Sequence, residues 1–166
     1  ARDGFIGIKS LGDWLQVVDS LGEIKRIKAK VDWDLEMATI TYLAGKKAGG
    51  PALLFENVKG YPGGRILFNP FGSSLNRLAI SIREPLGKSA IELVQVLGRK
   101  MRERIPPARI AADAAPVNQN VDRGDKADLT KFPAPKMWPL DGGKYIGTAD
   151  STITRNPEDG RINLGT

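Results

Sequence analysis

The stretch DGGKYIGTADSTITR, residues 141–155, gathers the residue types best suited to ligand contact. A Gly-Gly turn leads into a run of small polar side chains: Thr148, Asp150, Ser151, Thr152 and Thr154. Beside glycine, small hydroxyls leave room for a ligand to approach the backbone and offer it neutral hydrogen bonds. The same residues suit a strand with one wet face, because Thr is a good strand former, and on residue types alone that reading leads. NPEDG (156–160) supplies a reversal through Pro157 and Gly160. In the INLGT that follows, Asn163 is the odd member, since Asn is depleted in strands. Its amide oxygen suits a hard cation such as Mg²⁺ or Mn²⁺. Alternatively it is a strand-end Asn bonded to neighbouring backbone. One neutral ligand holds no metal by itself, so a site here needs carboxylate or imidazole partners.

Composition narrows the chemistry. The 166 residues contain no His and no Cys, which excludes a self-contained Ser-His-Asp or Cys-His site, a His-ligated metal and a disulfide within them. GGRI lacks the spacing and the Lys-Ser/Thr of a phosphate loop. The net charge of +6, from 25 Lys+Arg against 19 Asp+Glu, is the kind of surplus that marks nucleic-acid surfaces. Here the basic residues are spread, apart from KRIKAK (25–30) and GRKMRER (98–104). Arg99, Lys100, Arg102 and Arg104 fall at the end of an expected helix, where cations suit the dipole. Both clusters read as solvated faces, and no nucleic-acid partner is expected. With no run of 18 apolar residues and no signal-peptide core, the chain reads as a soluble cytoplasmic protein with no membrane partner.

The elements that must position these residues come earlier. Leu11, Trp14, Leu15, Val18 and Leu21 stand at helical spacing, with Ser10 and Asp13 as a start signal and Gly22 as a stop. EIKRIKA reads as a strand, although Ile24 and Ile27 do not fit one clean alternation. Asp34 is expected to open a second helix through Met37, Ile40, Leu43 and Ala44, ended by Gly49-Gly50-Pro51. ALLFENV and RILFN are short apolar strands around the turn KGYPGG. Ser73 is expected to begin a helix with Leu75, Leu78, Ala79 and Ile82. Ser89 and Glu92 form a capping-box pair ahead of a stripe of Leu93, Val94, Leu97 and Met101. This order predicts an α/β (α+β) class protein, with an N-terminal α/β layer domain over residues 1–110. After the proline-punctuated stretch from Pro106, strands are expected to resume at Tyr145 in a second, β-rich domain over 111–166.

Three strings in order then carry a resemblance. LGDWLQVVDSLGEIKRIKAKVDWDLEMATIT, GGPALLFENVKGYPGGRILFNPFGS and PVNQNVDRGDKADLTKFPAPKMWPLDGGKYIGTADSTITRNPEDGRINLGT are together similar to the UbiD family of prenylated-FMN-dependent decarboxylases. The resemblance covers nearly the whole chain. It implies that residues 111–166 begin a flavin-reductase-like split β-barrel. It implies a carboxy-lyase acting reversibly on an aromatic or α,β-unsaturated carboxylic acid, with prenylated FMN, a divalent metal (usually Mn²⁺) and K⁺ as cofactors. A homodimer or higher homo-oligomer, and a flavin prenyltransferase that supplies the cofactor, are the further partners it implies.

Carried over by motif, Asn163 aligns with the family's Asn metal ligand. Thr148 falls on a strand lining the cofactor pocket, and Thr166 where the flavin-binding run begins. The family's catalytic Arg, its acidic partners and its other metal ligands fall after Thr166, so no catalytic residue is assigned within this chain. The expectation is therefore the front of a longer enzyme, with these 166 residues inactive alone. A short, non-catalytic cofactor-binding or assembly subunit completed by a partner chain is the alternative, and an uncovered barrel edge counts against it.

Overall fold

The computed structural model describes residues 7–106, 108–147 and 150–165. The first helix, α1 (Leu11–Ser20), begins at Ser10. The Ser10 side chain accepts from the Asp13 amide, and the Asp13 carboxylate accepts from the Ser10 amide, a capping box at the start signal read from the sequence. Strand β1 (Ile24–Ile27), helix α2 (Glu36–Gly45) and strand β2 (Ala52–Phe55) then form a parallel pair joined through a helix. Strand β3 (Ile66–Phe68) runs antiparallel to β2, with Leu54 opposite Leu67, and completes a sheet in the order β1-β2-β3. Helices α3 (Leu75–Ser81) and α4 (Ala90–Lys100) follow.

The sheet is covered on both faces. Ala52 and Leu54 of β2 pack with Ile24, Trp14 and Val18 of α1, and Ile80 of α3. Leu53 and Phe55 point the other way, against Met37 of α2, Val31 and Val58. Phe68 meets Phe55 edge to face at 5.7 Å. All four residues of β2 are therefore buried, which is why this strand reads as an unbroken apolar run.

The same geometry explains β1. Three positions apart, Ile24 and Ile27 lie on opposite faces, and each joins a different core. The strand ends at Ile27, so Lys28 and Lys30 do not extend it, contrary to the longer strand expected. Arg26 on this edge strand bridges Asp19 at 2.8 Å and Glu56 at 2.6 Å, outside the core.

Three helix details depart from expectation. Helix α2 starts at Glu36, with Leu35 at its N-cap and Asp34 outside it. The Glu36 carboxylate reaches back to the Asp32 amide, and Asp32 accepts from the Asp34 amide, so the acidic residues brace the turn instead of capping the helix. In α3 the cap is Ser74, not Ser73, whose hydroxyl instead accepts from the Gly49 amide at 2.9 Å. In α4 the Ser89/Glu92 capping box forms, but the buried positions are Leu93 and Val96, while Val94 and Met101 are exposed.

Beyond α4 regular structure thins. Short 3₁₀ turns at Pro116–Asn118, Gly124–Lys126 and Leu129–Lys131 precede a two-stranded hairpin, β4 (Thr152–Arg155) and β5 (Ile162–Gly165). Among the described residues no strand begins at Tyr145: residues 145–147 and 150–151 are irregular, and β4 begins at Thr152. No helix among the described residues is long and apolar enough to cross a membrane.

Candidate functional site

The hairpin sorts its side chains by register. Antiparallel pairing sets Thr152 opposite Gly165 and Thr154 opposite Asn163, while Ile153 faces Leu164 and Arg155 faces Ile162. Directly opposed residues share a face and successive residues alternate. One face therefore carries Thr152, Thr154, Asn163 and Gly165, all small or neutral-polar. The other carries Ile153, Ile162 and Leu164, each more than three-fifths exposed, together with Arg155 opposite Ile162. NPEDG makes the expected reversal: Asn156 accepts from the Gly160 amide at 2.9 Å, and Gly160 takes the left-handed φ of 72°.

The polar face offers hydroxyl and amide oxygens and no charge. That donor set suits a hard, oxygen-preferring cation or a polar cofactor as one wall of a site. Among the described residues no three His, Cys, Asp or Glu side chains gather to complete a metal shell. Thr148 and Thr166, the other two sequence-assigned positions, lie outside the described residues.

The segment leading to the hairpin is held to the α/β layer by backbone and side chain together. Leu35 donates to the Lys136 carbonyl at 3.2 Å, and Lys136 donates to the Trp33 carbonyl at 3.0 Å. Asp141, just before the Gly-Gly pair, accepts from the Met137 and Trp138 amides at 3.1 and 2.8 Å. Lys144 follows and lies over the ring of Trp33 at 3.9 Å. An open groove of about 750 Å³, floored by Trp14, Leu67 and Phe71, shares no residue with the hairpin and is assigned no part in this site.

Sequence reasoning missed the most heavily bonded polar side chain, Arg77, which is fully buried in α3. Its guanidinium donates to the carbonyls of Pro70 at 2.9 Å, Glu23 at 3.2 Å and Gly50 at 2.7 Å, and to the Glu23 carboxylate at 3.2 Å. Glu23 and Gly50 precede the parallel strands β1 and β2, and Pro70 follows antiparallel β3, so one side chain ties the same end of all three strands. Gly72 passes beside it with φ 51°, where a Cβ would meet the guanidinium at 2.7 Å. A lone Arg in a helical stripe carries no local signal of this role.

Burial pushes the Glu23 carboxyl up, but hydrogen bonds from Ser74 and Asn76 and the charge of Arg77 outweigh it and hold it below the ordinary value of about 4.5. A carboxylate lowered in the folded state stabilises fully above its unfolded pKa, and that contribution is lost as pH falls through the folded value. Stability is therefore expected to fall as pH drops below about 4.5, and Glu23→Gln to flatten that fall while lowering stability at neutral pH. Thermal unfolding of both proteins across pH 3–7 checks this, and parallel curves would rule Glu23 out as the source.

Residues 15–101 match the family model described as the 3-octaprenyl-4-hydroxybenzoate carboxy-lyase N-terminal domain, which alone covers more than half of the chain. Residues 108–166 match that of the 3-octaprenyl-4-hydroxybenzoate carboxy-lyase Rift-related domain. Among solved structures, an evolved dimeric form of the UbiD-class enzyme HmfF from Pelotomaculum thermopropionicum, in complex with prFMN, is 29% identical with a TM-score of 0.76, over 95% of this chain and 34% of that one. The vanillic acid decarboxylase of Sedimentibacter hydroxybenzoicus is 28% identical with a TM-score of 0.82, over 95% and 34%. The apo 3,4-dihydroxybenzoic acid decarboxylase of Enterobacter cloacae is 27% identical with a TM-score of 0.78, over the same shares. The chain thus spans about a third of the length of these solved relatives.

Proposed function

Since the chain belongs to the UbiD family of carboxy-lyases, we infer that it is the N-terminal part of an enzyme that reversibly decarboxylates an aromatic or α,β-unsaturated carboxylic acid with prenylated FMN. The observation that carries this reading is the pair of consecutive domain matches, in family order. Two of the similar structures are named as decarboxylases and one was solved with prFMN, which supports the reaction class and the cofactor. In this reading residues 1–110 form the α/β domain, and residues 111–166 begin a split β-barrel, of which β4 and β5 are the first hairpin.

The hairpin's two faces then have distinct tasks. Ile153, Ile162 and Leu164 pack into the barrel interior built by further strands, which would remove their exposure. Thr152, Thr154 and Asn163 turn toward the cofactor. Asn163 would lend its amide oxygen to a divalent cation, Mn²⁺ in this reading, with K⁺ nearby. Thr148 and Thr166 would line the flavin with hydroxyls. When bound, the prenylated flavin supplies the covalent chemistry of carbon dioxide loss, while the protein orients substrate and cofactor. The acid and base residues are expected outside this chain. A homodimer or larger homo-oligomer in the cytoplasm, supplied by a flavin prenyltransferase, completes the proposal.

The test is direct. The complete enzyme, reconstituted with prenylated FMN, is expected to release carbon dioxide from at least one acid in a panel of phenolic, heteroaromatic and cinnamic-type carboxylates. Failure to bind flavin, together with no turnover of any of them, would sink the assignment.

A further inference from the structure

We propose that the outer face of α4 is a contact between two copies of this protein, packed helix against helix and antiparallel. The inference rests on the homo-oligomer in the reading above and names a surface for it. Helix α4 is apolar on two opposite sides. Leu93 and Val96 are buried on one. Ile91, Val94 and Met101 stand 71%, 68% and 78% exposed on the other, with Gly98 in the same stripe. Met101 is the C-cap but keeps right-handed helical dihedrals, so it extends that stripe. Lys100 fixes which side faces inward: its ammonium bridges Glu84 at 2.8 Å and donates to the Ile82 carbonyl. A helix that is apolar on both sides calls for cover on both, and the described α/β layer covers one.

The spacing of the stripe points to a second copy as its cover. Positions 91, 94, 98 and 101 step by three, four and three, the seam of one helix packed on another. That order reads the same in both directions. Two antiparallel copies therefore set Ile91 of each against Met101 of the other, and Val94 against Gly98. Such a contact is self-complementary about a two-fold axis, as a closed pair of identical chains requires. Gly98 fits this arrangement. A glycine inside a helix weakens it relative to alanine. A Cβ at Gly98 would meet nothing within 4 Å, so packing within the chain does not call for the glycine. Opposite Val94 of a second copy, its missing side chain leaves room for the valine. Charge sets the direction. Arg99, Lys100, Arg102 and Arg104 crowd the C-terminal end, whereas Glu92 lies in the first turn. Parallel copies would bring the two basic ends together, and antiparallel copies lay each beside the acidic end of the other. Gln95 and Leu97, which flank the seam near its midpoint, are uncharged, so no like charges oppose one another at the axis.

The experiment measures the mass of the complete enzyme by light scattering across a dilution series, with circular dichroism as the check on folding. Val94→Arg and Gly98→Glu are each expected to weaken self-association by at least about tenfold, since each buries an unpaired charge in the seam. Both positions face solvent in the single copy, so the helical signal should stay. Gly98→Glu also replaces glycine with a better helix former, so a loss of mass there cannot come from a weakened helix. Combined in one chain, the two substitutions should recover part of the loss, because the introduced charges are opposite in sign and face each other across the two copies. Unchanged mass in both single variants overturns the proposal and leaves the face to the rest of the enzyme or to another protein. Losses in both without recovery in the double variant also overturn it, because positions 94 and 98 then do not meet. A wild-type enzyme that stays monomeric overturns the homo-oligomer and this contact together, while its turnover of carboxylates still tests the proposed reaction separately.

Discussion

Arg77→Met is expected to destabilise the protein by about 3 kcal/mol, the lower end of the cost of breaking a buried ion pair, because Arg77 is fully buried while the Glu23 side chain is 21% exposed. Methionine occupies much of the volume of the arginine stem but brings no donor. The carbonyls of Glu23, Gly50 and Pro70 and the Glu23 carboxylate would then lose the guanidinium they share. The Glu23 carbonyl keeps the Ala52 amide and its carboxylate keeps Ser74 and Asn76, so the desolvation penalty falls on the Gly50 and Pro70 carbonyls and on the weakened Glu23 charge. Because these acceptors sit at one end of all three strands, the loss also frays the end of the sheet against which α1 and α3 pack. Equilibrium denaturation of the complete enzyme, followed by tryptophan fluorescence, reads the effect through Trp14 and Trp33. A loss below about 1 kcal/mol, the worth of an ordinary hydrogen bond, would show that the network is not structural. Gly72→Ala tests the same neighbourhood: it combines a left-handed φ with a clash against the guanidinium, and is expected to destabilise in the same direction.

Asn163→Ala carries the largest expected effect on the proposed site. In the complete enzyme it should reduce metal retention by at least the roughly 10–100-fold that loss of an outer-shell partner costs a metal site. Flavin retention should weaken with it, because in the proposed reading the cation and the flavin share this wall of the site. The fold should be untouched: Asn163 is exposed in β5, and the hairpin pairing uses backbone groups that alanine keeps. Metal content after dialysis, measured alongside far-ultraviolet circular dichroism, separates the two. Full Mn²⁺ content in a folded variant would return Asn163 to an ordinary strand residue. Thr154→Val offers a graded comparison, since it removes only the hydroxyl opposite Asn163.

Much of the α/β layer was legible because its signals are local. The Ser10/Asp13 and Ser89/Glu92 boxes involve side chains and amides three residues apart, so sequence spacing is enough to place them. The apolar run of β2 announced a strand, and the structure added that both its faces are covered. The failures were tertiary. Asp34 has the composition of a cap, but Leu35 is drawn into the N-cap position by its bond to Lys136, a residue from the far segment. Ser73 and Ser74 are chemically alike, and their roles divided only because Gly49 lies beside one and Glu23 beside the other. In α4 two apolar stripes overlap, and periodicity could not say which one meets the rest of the layer.

The sequence by itself determined the caps of α1 and α4, the turn at NPEDG, the apolar centre of the sheet and the ordered strings that mark the family. Each depends on residues close enough along the chain for spacing to stand in for distance. Tertiary structure alone decided that Arg77 would gather Glu23, Gly50 and Pro70, that Lys144 would lie over Trp33 and reach the Tyr61 hydroxyl, and that Asn163 would share a face with Thr154. The reason is physical. A buried guanidinium, an ammonium over an aromatic ring and a strand register are satisfied by partners from distant segments, and only packing the sheet and closing the hairpin bring those partners together.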